Sequence, residues 1–351
     1  MDKDILDNKS ILITGGTGSF GKKMVQIVLA NFKPKRLIIF SRDELKQFEM
    51  AQKWKPSEHP CLQYVLGDVR DKSRLCRVFE GVDYVIHAAA LKQVPAAERN
   101  PDEYIKTNVI GAMNIIEAAI QSNVKKVIAL STDKACNPIN LYGATKLCAD
   151  KLFVAENNIT LPSRTQFSVV RYGNVVGSRG SVIPFFRERA KTGVLPITDE
   201  RMTRFWITLD QAVYLVLLSL QRAKGGEIFV PRIPSMKITD LAAAIAPECK
   251  QEIVGIRPGE KIHETLISED EARSAIQFKE CFVVQYDSDK RDILLAQAEK
   301  YGGQACPEGF VYRSDINDEW MSVKELREMG DRIADDYVIE KSRFSMTGIP
   351  E

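Results

Sequence analysis

The run ILITGGTGSFG, residues 11–21, admits few folds. Its first four residues are apolar or β-branched and read as a strand. Gly15, Gly18 and Gly21 follow at intervals of three, and a helical pattern takes over near Lys22. A strand that turns through glycines straight into a helix lets the backbone approach a pyrophosphate and aims the helix N-terminus at it. Further apolar runs repeat the theme: RLIIF (36–40), LQYVLG (62–67), VDYVIHAAA (82–90), KKVIALST (125–132) and FSVVRYGNVVG (167–177), with helical segments such as Glu44 to Lys53 between them. Strands this continuously apolar are covered on both faces, which predicts an α/β fold with a doubly wound parallel sheet over residues 8–176. Beyond it the order loosens into Pro- and Gly-punctuated segments. Residues 177–335 are expected to form a smaller, mainly substrate-binding part that returns some segments to the sheet, and 336–351 a polar tail.

Charge and composition exclude several classes. Lys and Arg number 49 against 47 Asp and Glu, with no long run of either sign, so neither nucleic acid nor an anionic membrane is an expected partner. The longest apolar run, AVYLVLLSL, is about half of what spans a bilayer. The opening MDKDILDNKS carries acids where an export signal carries cations, and the seven cysteines are scattered without C-x-x-C spacing. Both point to a cytoplasmic protein with reduced thiols. The three histidines are far apart, and no metal site is expected.

The glycine loop predicts a dinucleotide cofactor, with Thr17, Ser19 and Phe20 completing the loop around Gly15, Gly18 and Gly21. Ser41 and Arg42 stand where an NAD-selective site places an acid for the ribose hydroxyls. A guanidinium beside a small hydroxyl suits the 2′-phosphate of NADP, with Lys46 close by. Asp43 keeps NAD open, and SRDEL also reads as a helix cap. Asp68 and Val69 follow the third strand towards the adenine. The small residues Ala88, Ala89 and Ala90 let the fourth strand pass close to the cofactor, and Lys92 projects beyond them.

The stretch STDKACNPINLYGATK, residues 131–146, carries the chemistry. Tyr142 and Lys146 lie one turn apart on one helix face, where an ammonium can lower a phenol's pKa and ready it to take a proton as hydride departs. Asp133 and Lys134 precede them, so two amines are available to one reacting group. A bland reading makes Asp133 and Lys134 a surface ion pair of little worth.

The glycine motif, HAAALK, STDK, YGATK and RYGNVVG occur in an order that resembles the extended short-chain dehydrogenase/reductase family. The longer strings PINLYGATKL and MTRFWITLD resemble its branch of inverting sugar-nucleotide 4,6-dehydratases, from about Asn8 to at least Leu266. The resemblance implies UDP-N-acetylglucosamine as substrate, NADP as cofactor, a homo-oligomer, and a place at the head of pseudaminic acid synthesis for flagellin glycosylation. It also implies roles. Tyr142 takes the carbon 4 hydroxyl proton, Lys146 tunes it and holds the nicotinamide ribose, and Thr132 hydrogen-bonds the carbon 4 oxygen. Lys134 removes the carbon 5 proton, and Asp133 protonates the departing carbon 6 hydroxyl. Retaining dehydratases typically carry Asp-Glu where this chain has Asp133-Lys134, so the departure implies inversion at carbon 5. A lysine base must be neutral when it acts, and Lys146 and an oxidised nicotinamide are expected to favour that state. Lys92, Asn174, Val182, Thr198, Arg204, Arg257 and Glu260 are implied on the substrate side, the two arginines for the diphosphate. A 4-epimerase or a retaining dehydratase of the same fold, or a non-catalytic dinucleotide-binding protein, stays open.

Overall fold

A computed structural model of the chain describes residues 4–159, 165–177 and 182–334; the expected polar tail lies outside them. Strand β1 (Ser10–Thr14) is buried along its whole length, with Ile11, Leu12 and Ile13 fully enclosed. Each aliphatic side chain removed from water in this way contributes about 1.5–3 kcal/mol, which is why so short a run can anchor the sheet. Strands β2 (Arg36–Ser41), β3 (Leu62–Leu66), β4 (Tyr84–His87), β5 (Lys126–Thr132) and β6 (Gln166–Tyr172) join it in the order β3-β2-β1-β4-β5-β6, all parallel. The order reverses between β1 and β4, and the crevice beyond their carboxyl ends is the place where such sheets bind ligands.

Helix α1 (Ser19–Asn31) starts three residues earlier than the apolar pattern suggests and presents Met24, Val25 and Val28 to the sheet. The fourth apolar run keeps strand geometry only over Tyr84–His87, because its alanines turn across to the glycine loop.

The sheet does not stop at β6. Glu227–Pro231 adds to it in parallel, and Cys281–Gln285, Ala275–Gln277 and Gln304–Ala305 continue it antiparallel, making ten strands. The helix Leu209–Arg222, held by a capping box between Thr208 and Gln211, covers β5 and β6. A second core, around Ile183, Phe186, Leu195, Ile197, Trp206, Met236 and Leu241, lies in the intervening segments and is closed by the helix Val323–Ala334. By the rule for such sheets, the ligand cleft is expected beyond the carboxyl ends of β1, β4 and β5. Among the described residues no helix is long and apolar enough to cross a membrane.

Candidate active site

The glycine loop sits where the fold requires closest approach. Gly15 has φ +65°, and a Cβ there would be 2.8 Å from the Ala89 nitrogen. A Cβ on Gly21 would be 2.3 Å from the Gly16 carbonyl oxygen, so α1 can lie against the loop only with hydrogen at that position. Gly18 occupies the α1 N-cap and brings no capping side chain, which leaves the helix N-terminus available to an anion. The cradle therefore fits a dinucleotide pyrophosphate. Thr17 Oγ1 donates to Ser41 Oγ at 3.1 Å, joining the loop to the end of β2. Asp43 caps the next helix by accepting from the Lys46 amide, and its other oxygen pairs with the Lys46 amine. Arg42 stays more than half exposed and reaches Asp68 at 3.6 Å, while Asp68 is chiefly held by Arg70. Asn114 Nδ2 donates to the Val69 and Arg70 carbonyls and fixes the loop after β3.

The candidate catalytic helix, Leu141–Ile159, begins against the short turn Asp133–Ala135 at the end of β5. Its position is set by Asn108, which lies in a π-helical segment, Ile105–Ile110. Asn108 Nδ2 donates to the Leu91 carbonyl and to Thr145 Oγ1, and its Oδ1 accepts from the Leu91 amide. One side chain thus ties the segment after β4 to the catalytic helix.

Tyr142, Thr132, Asp133 and Lys134 meet at this junction. Thr132 Oγ1 donates to Asp133 Oδ1 at 2.8 Å, and its hydroxyl acts to lower the Tyr142 pKa. Lys134 Nζ lies 3.1 Å from Asp133 Oδ1 and 3.1 Å from Glu264 Oε1. Both carboxylates have side chains only 1% exposed, so this is no surface ion pair. Burial pushes the Tyr142 phenol up to about 12, and the cation that chiefly opposes the shift is Lys134. Lys146 is buried with the Asp150 carboxylate as its charged neighbour; burial lowers its pKa, and Asp150 partly restores it.

Lys134 also departs from expectation. Burial alone would lower its pKa, but the Asp133 and Glu264 carboxylates outweigh that and hold the amine as an ammonium. Lys146 has no visible part in the balance. The Asp133 pKa is raised as well: burial, then the charge of Glu264, favours its protonated form, while Lys134 and Thr132 oppose the shift. Glu264 keeps the negative charge, because Lys134, Arg204 and Lys261 together overcome its burial. Two carboxyls sharing a low-dielectric site separate into one acid and one anion in this way.

The substrate-side residues are distributed around the same cleft. Arg204 is almost buried, with Nη1 donating to the Thr203 and Ile262 carbonyls and Nη2 3.5 Å from Glu260 Oε1. Arg257 is exposed. The segment just after Arg257 is docked on the turn that carries Lys134 and the helix start beside it: Asn140 Nδ2 donates to the Gly259 carbonyl at 2.7 Å, and Lys261 Nζ to the Cys136 carbonyl at 2.6 Å. Val182 packs against the smaller core, and Thr198 Oγ1 turns to the Met202 sulfur. The Lys92 amine is desolvated by its surroundings and feels the Lys134 charge, both of which lower its pKa. Asp133 Oδ2, Asn174 Oδ1, Glu260 Oε2 and Glu264 Oε2 are buried with no hydrogen-bond partner among the described residues. Unpaired buried acceptors are costly, and a ligand rich in hydroxyl groups would supply their donors.

Residues 11–286 match the family model described as polysaccharide biosynthesis protein. The chain belongs to this family. Its fold is that of the extended short-chain dehydrogenases/reductases. A family relative, "UDP-N-acetylglucosamine 4,6-dehydratase (inverting)" of Campylobacter jejuni, is 55% identical over 332 residues, covering 93% of this chain and 98% of that protein. The UDP-glucose 4-epimerase of Rickettsia conorii is 41% identical over 342 residues, covering 95% of this chain and 98% of the epimerase. Among solved structures, Pen from Bacillus thuringiensis superposes with a TM-score of 0.83 at 36% identity, covering 93% of this chain and 99% of Pen.

Sequence reasoning missed Glu264 and Glu271. Neither belongs to a periodic run or a spaced motif, and both reach the catalytic elements only through the fold. Glu271 accepts from Arg171 at 2.8 and 3.0 Å and from Tyr286 at 2.8 Å, behind the catalytic helix, and Arg171 is fully buried there.

Proposed function

We propose that the protein is an inverting UDP-N-acetylglucosamine 4,6-dehydratase that uses NADP. The observation that carries the reading is the Lys134 amine, set between Asp133 and Glu264 beside Tyr142: a base and an acid additional to those that a simple alcohol oxidation needs. The identity to the Campylobacter jejuni enzyme supports the same substrate.

In this reading Gly15, Thr17, Gly18, Ser19, Phe20 and Gly21 hold the pyrophosphate, and Asp68, Val69 and Ala88 to Ala90 flank the adenosine and nicotinamide. Ser41, Arg42 and Lys46 take the 2′-phosphate, a choice supported by Asp43 being occupied as a helix cap. When bound, the dinucleotide supplies the acceptor for hydride from carbon 4 and returns that hydride to carbon 6. Tyr142, polarised by Thr132, receives the carbon 4 hydroxyl proton, and Lys146 holds the ribose. The resulting ketone acidifies carbon 5, so Lys134, once neutral, removes that proton while the Asp133 acid protonates the leaving hydroxyl. Lys92, Asn174, Val182, Thr198 and Glu260 line the sugar and uridine, and Arg204 and Arg257 face the diphosphate. The place in pseudaminic acid synthesis and the homo-oligomer rest on the family resemblance, and the cytoplasm on the scattered, unpaired cysteines.

A 4-epimerase is the second reading, favoured by the Rickettsia conorii relative. Such an enzyme needs no base at carbon 5, so Lys134 weighs against it. Proton NMR of the protein with UDP-N-acetylglucosamine in deuterated water, with NADP or NAD added, separates the two. The expected product is the 4-keto-6-deoxy sugar with deuterium at carbon 5 in the L-arabino configuration, formed faster with NADP. The D-xylo product would overturn inversion, and UDP-N-acetylgalactosamine would establish the epimerase.

A further inference from the structure

The Lys134 amine has two anchors, and only one of them is its sequence neighbour. The other, Glu264, is mounted with unusual firmness. Its amide donates to Ser314 Oγ at 3.0 Å, its carbonyl accepts from the Ser314 amide at 2.9 Å, and Ser314 Oγ bonds Thr203 Oγ1 at 2.7 Å. Thr203 in turn neighbours Arg204, whose Nε lies 3.9 Å from Glu264 Oε1. The carboxylate is 1% exposed and therefore has little freedom to swing away. Its Oε2 has no hydrogen-bond partner among the described residues, and Lys261 Nζ comes only to 4.0 Å. A buried carboxylate held this rigidly, with one oxygen on the amine and the other unpartnered, is not explained by packing.

We propose that Glu264 is the positioning residue for carbon 5 proton transfer: its carboxylate fixes the Lys134 amine beside Asp133 and sets how readily that amine gives up its proton. The proposal rests on the reading of Lys134 as the base. The charged groups facing Lys134 are Asp133 on its own turn, Tyr142 on the catalytic helix, Glu264, Arg204 on the smaller lobe and Lys92 after β4. Those facing Glu264 are Lys134, Arg204, Lys261 and Asp133. In each set Glu264 is the anion that does not also serve as the acid. It can therefore hold the amine without being consumed in the reaction.

The sign follows. Glu264 stabilises the ammonium, so Glu264→Gln, which keeps the shape and the acceptor oxygen but removes the charge, lets Lys134 lose its proton at lower pH. The first test needs no turnover: the pH dependence of Lys134 acetylation by acetic anhydride, read by peptide mass spectrometry on the folded protein, the Lys134 side chain being 24% exposed. The midpoint is expected to fall by about one pH unit or more in Glu264→Gln, the ordinary effect of removing one opposite charge at this range. Glu264→Asp, which keeps the charge, should return most of the shift. The second test is kinetic: in Glu264→Gln the acid limb of the kcat profile moves to lower pH, and the plateau falls roughly tenfold as a weaker, less fixed base acts. KM for UDP-N-acetylglucosamine should stay within about twofold. An unmoved acetylation midpoint, or a rise in KM with kcat and its profile unchanged, would overturn the proposal and make Glu264 a wall residue. If the wild-type protein performs no dehydration while the midpoint still shifts, Glu264 controls the amine and it is the proposed function that fails.

Discussion

At Gly143 a Cβ would stand 2.1 Å from the Lys134 carbonyl oxygen and 3.0 Å from Pro138 Cβ, so the first turn of the catalytic helix can lie against the Asp133–Ala135 turn only with glycine there. Gly143→Ala must push the helix away from the turn that carries Lys134, and Tyr142 moves with it. A displacement of about 1 Å costs on the order of 100-fold in a step that depends on alignment. The expected result is that loss in kcat with a much smaller loss of dinucleotide affinity, because the glycine loop lies on other elements and only Lys146 moves with the helix. Turnover and a cofactor titration on the same preparation check it, and a fully active variant would show that the helix yields without cost. The residue scale is also where sequence reading divides most sharply. Tyr142 and Lys146 are legible because a helix converts a spacing of four into a shared face. The neighbours Asp133 and Lys134 are legible as a pair, but not their charge states. Those depend on burial and on Glu264, which stands just before a strand far along the chain.

At the scale of elements, the catalytic helix is braced from behind by a buried ionic cluster. Arg171, next to last in the strand β6, donates to Glu271 and to the Leu266 carbonyl and lies 3.5 Å from Asp150 on the helix, whose Oδ2 also accepts from Ser131 Oγ. The Arg171 guanidinium, with help from Tyr286 and Ser268, overcomes burial and holds the Glu271 carboxyl down to about 2. A carboxyl whose folded pKa is depressed adds stability that is complete above its unfolded value near 4.5 and disappears as pH falls towards the folded one. The drop from the ordinary value corresponds to about 3 kcal/mol, and removing one partner of a buried pair costs about as much. Glu271→Gln, which resembles the protonated acid, should therefore be less stable than the wild type by about 3 kcal/mol at neutral pH, with the gap closing from about pH 4.5 downwards. Urea unfolding of both proteins across that range measures the gap. A gap that stayed constant with pH would show that shape, not charge, is what Glu271 contributes. RYGNVVG announced Arg171 in the sequence, but its partner follows no motif and is set in place by a capping box at Ser268.

On the scale of the molecule, the chain shuttles between two cores. From β6 it passes through Val182–Ala190 and Thr203–Ile207 in the smaller lobe, returns to the large sheet with Leu209–Arg222 and Glu227–Pro231, and leaves again through Ile238–Ile245. It comes back once more with Ala275–Gln277 and Cys281–Gln285, and ends its described part with Val323–Ala334 on the smaller core. The first six strands were legible because parallel strands buried on both faces read as unbroken apolar runs. Of the later ones, the apolar run at Glu227–Pro231 is legible as a strand, and it too pairs in parallel; the others are not, because they are short, antiparallel and interleaved with the other lobe, so no single period persists along the sequence. This interleaving makes a physical prediction. A chain ended after Gly259 keeps the glycine loop and the Tyr142–Lys146 helix but loses Glu264, Glu271 and the strand paired with Glu227–Pro231. Arg171 would be left buried against Asp150 alone, and the apolar face of Phe229 and Val230 would lose its partner strand. Uncovered apolar surface and a buried charge stripped of its nearer partner each cost several kcal/mol, comparable to the whole stability of a domain. Such a chain is expected to collapse without fixed tertiary structure, to lose near-ultraviolet circular dichroism while retaining far-ultraviolet signal, and to bind no dinucleotide. Native-like near-ultraviolet spectra with intact cofactor binding would show instead that the nucleotide half folds on its own and that the returning strands serve the site alone.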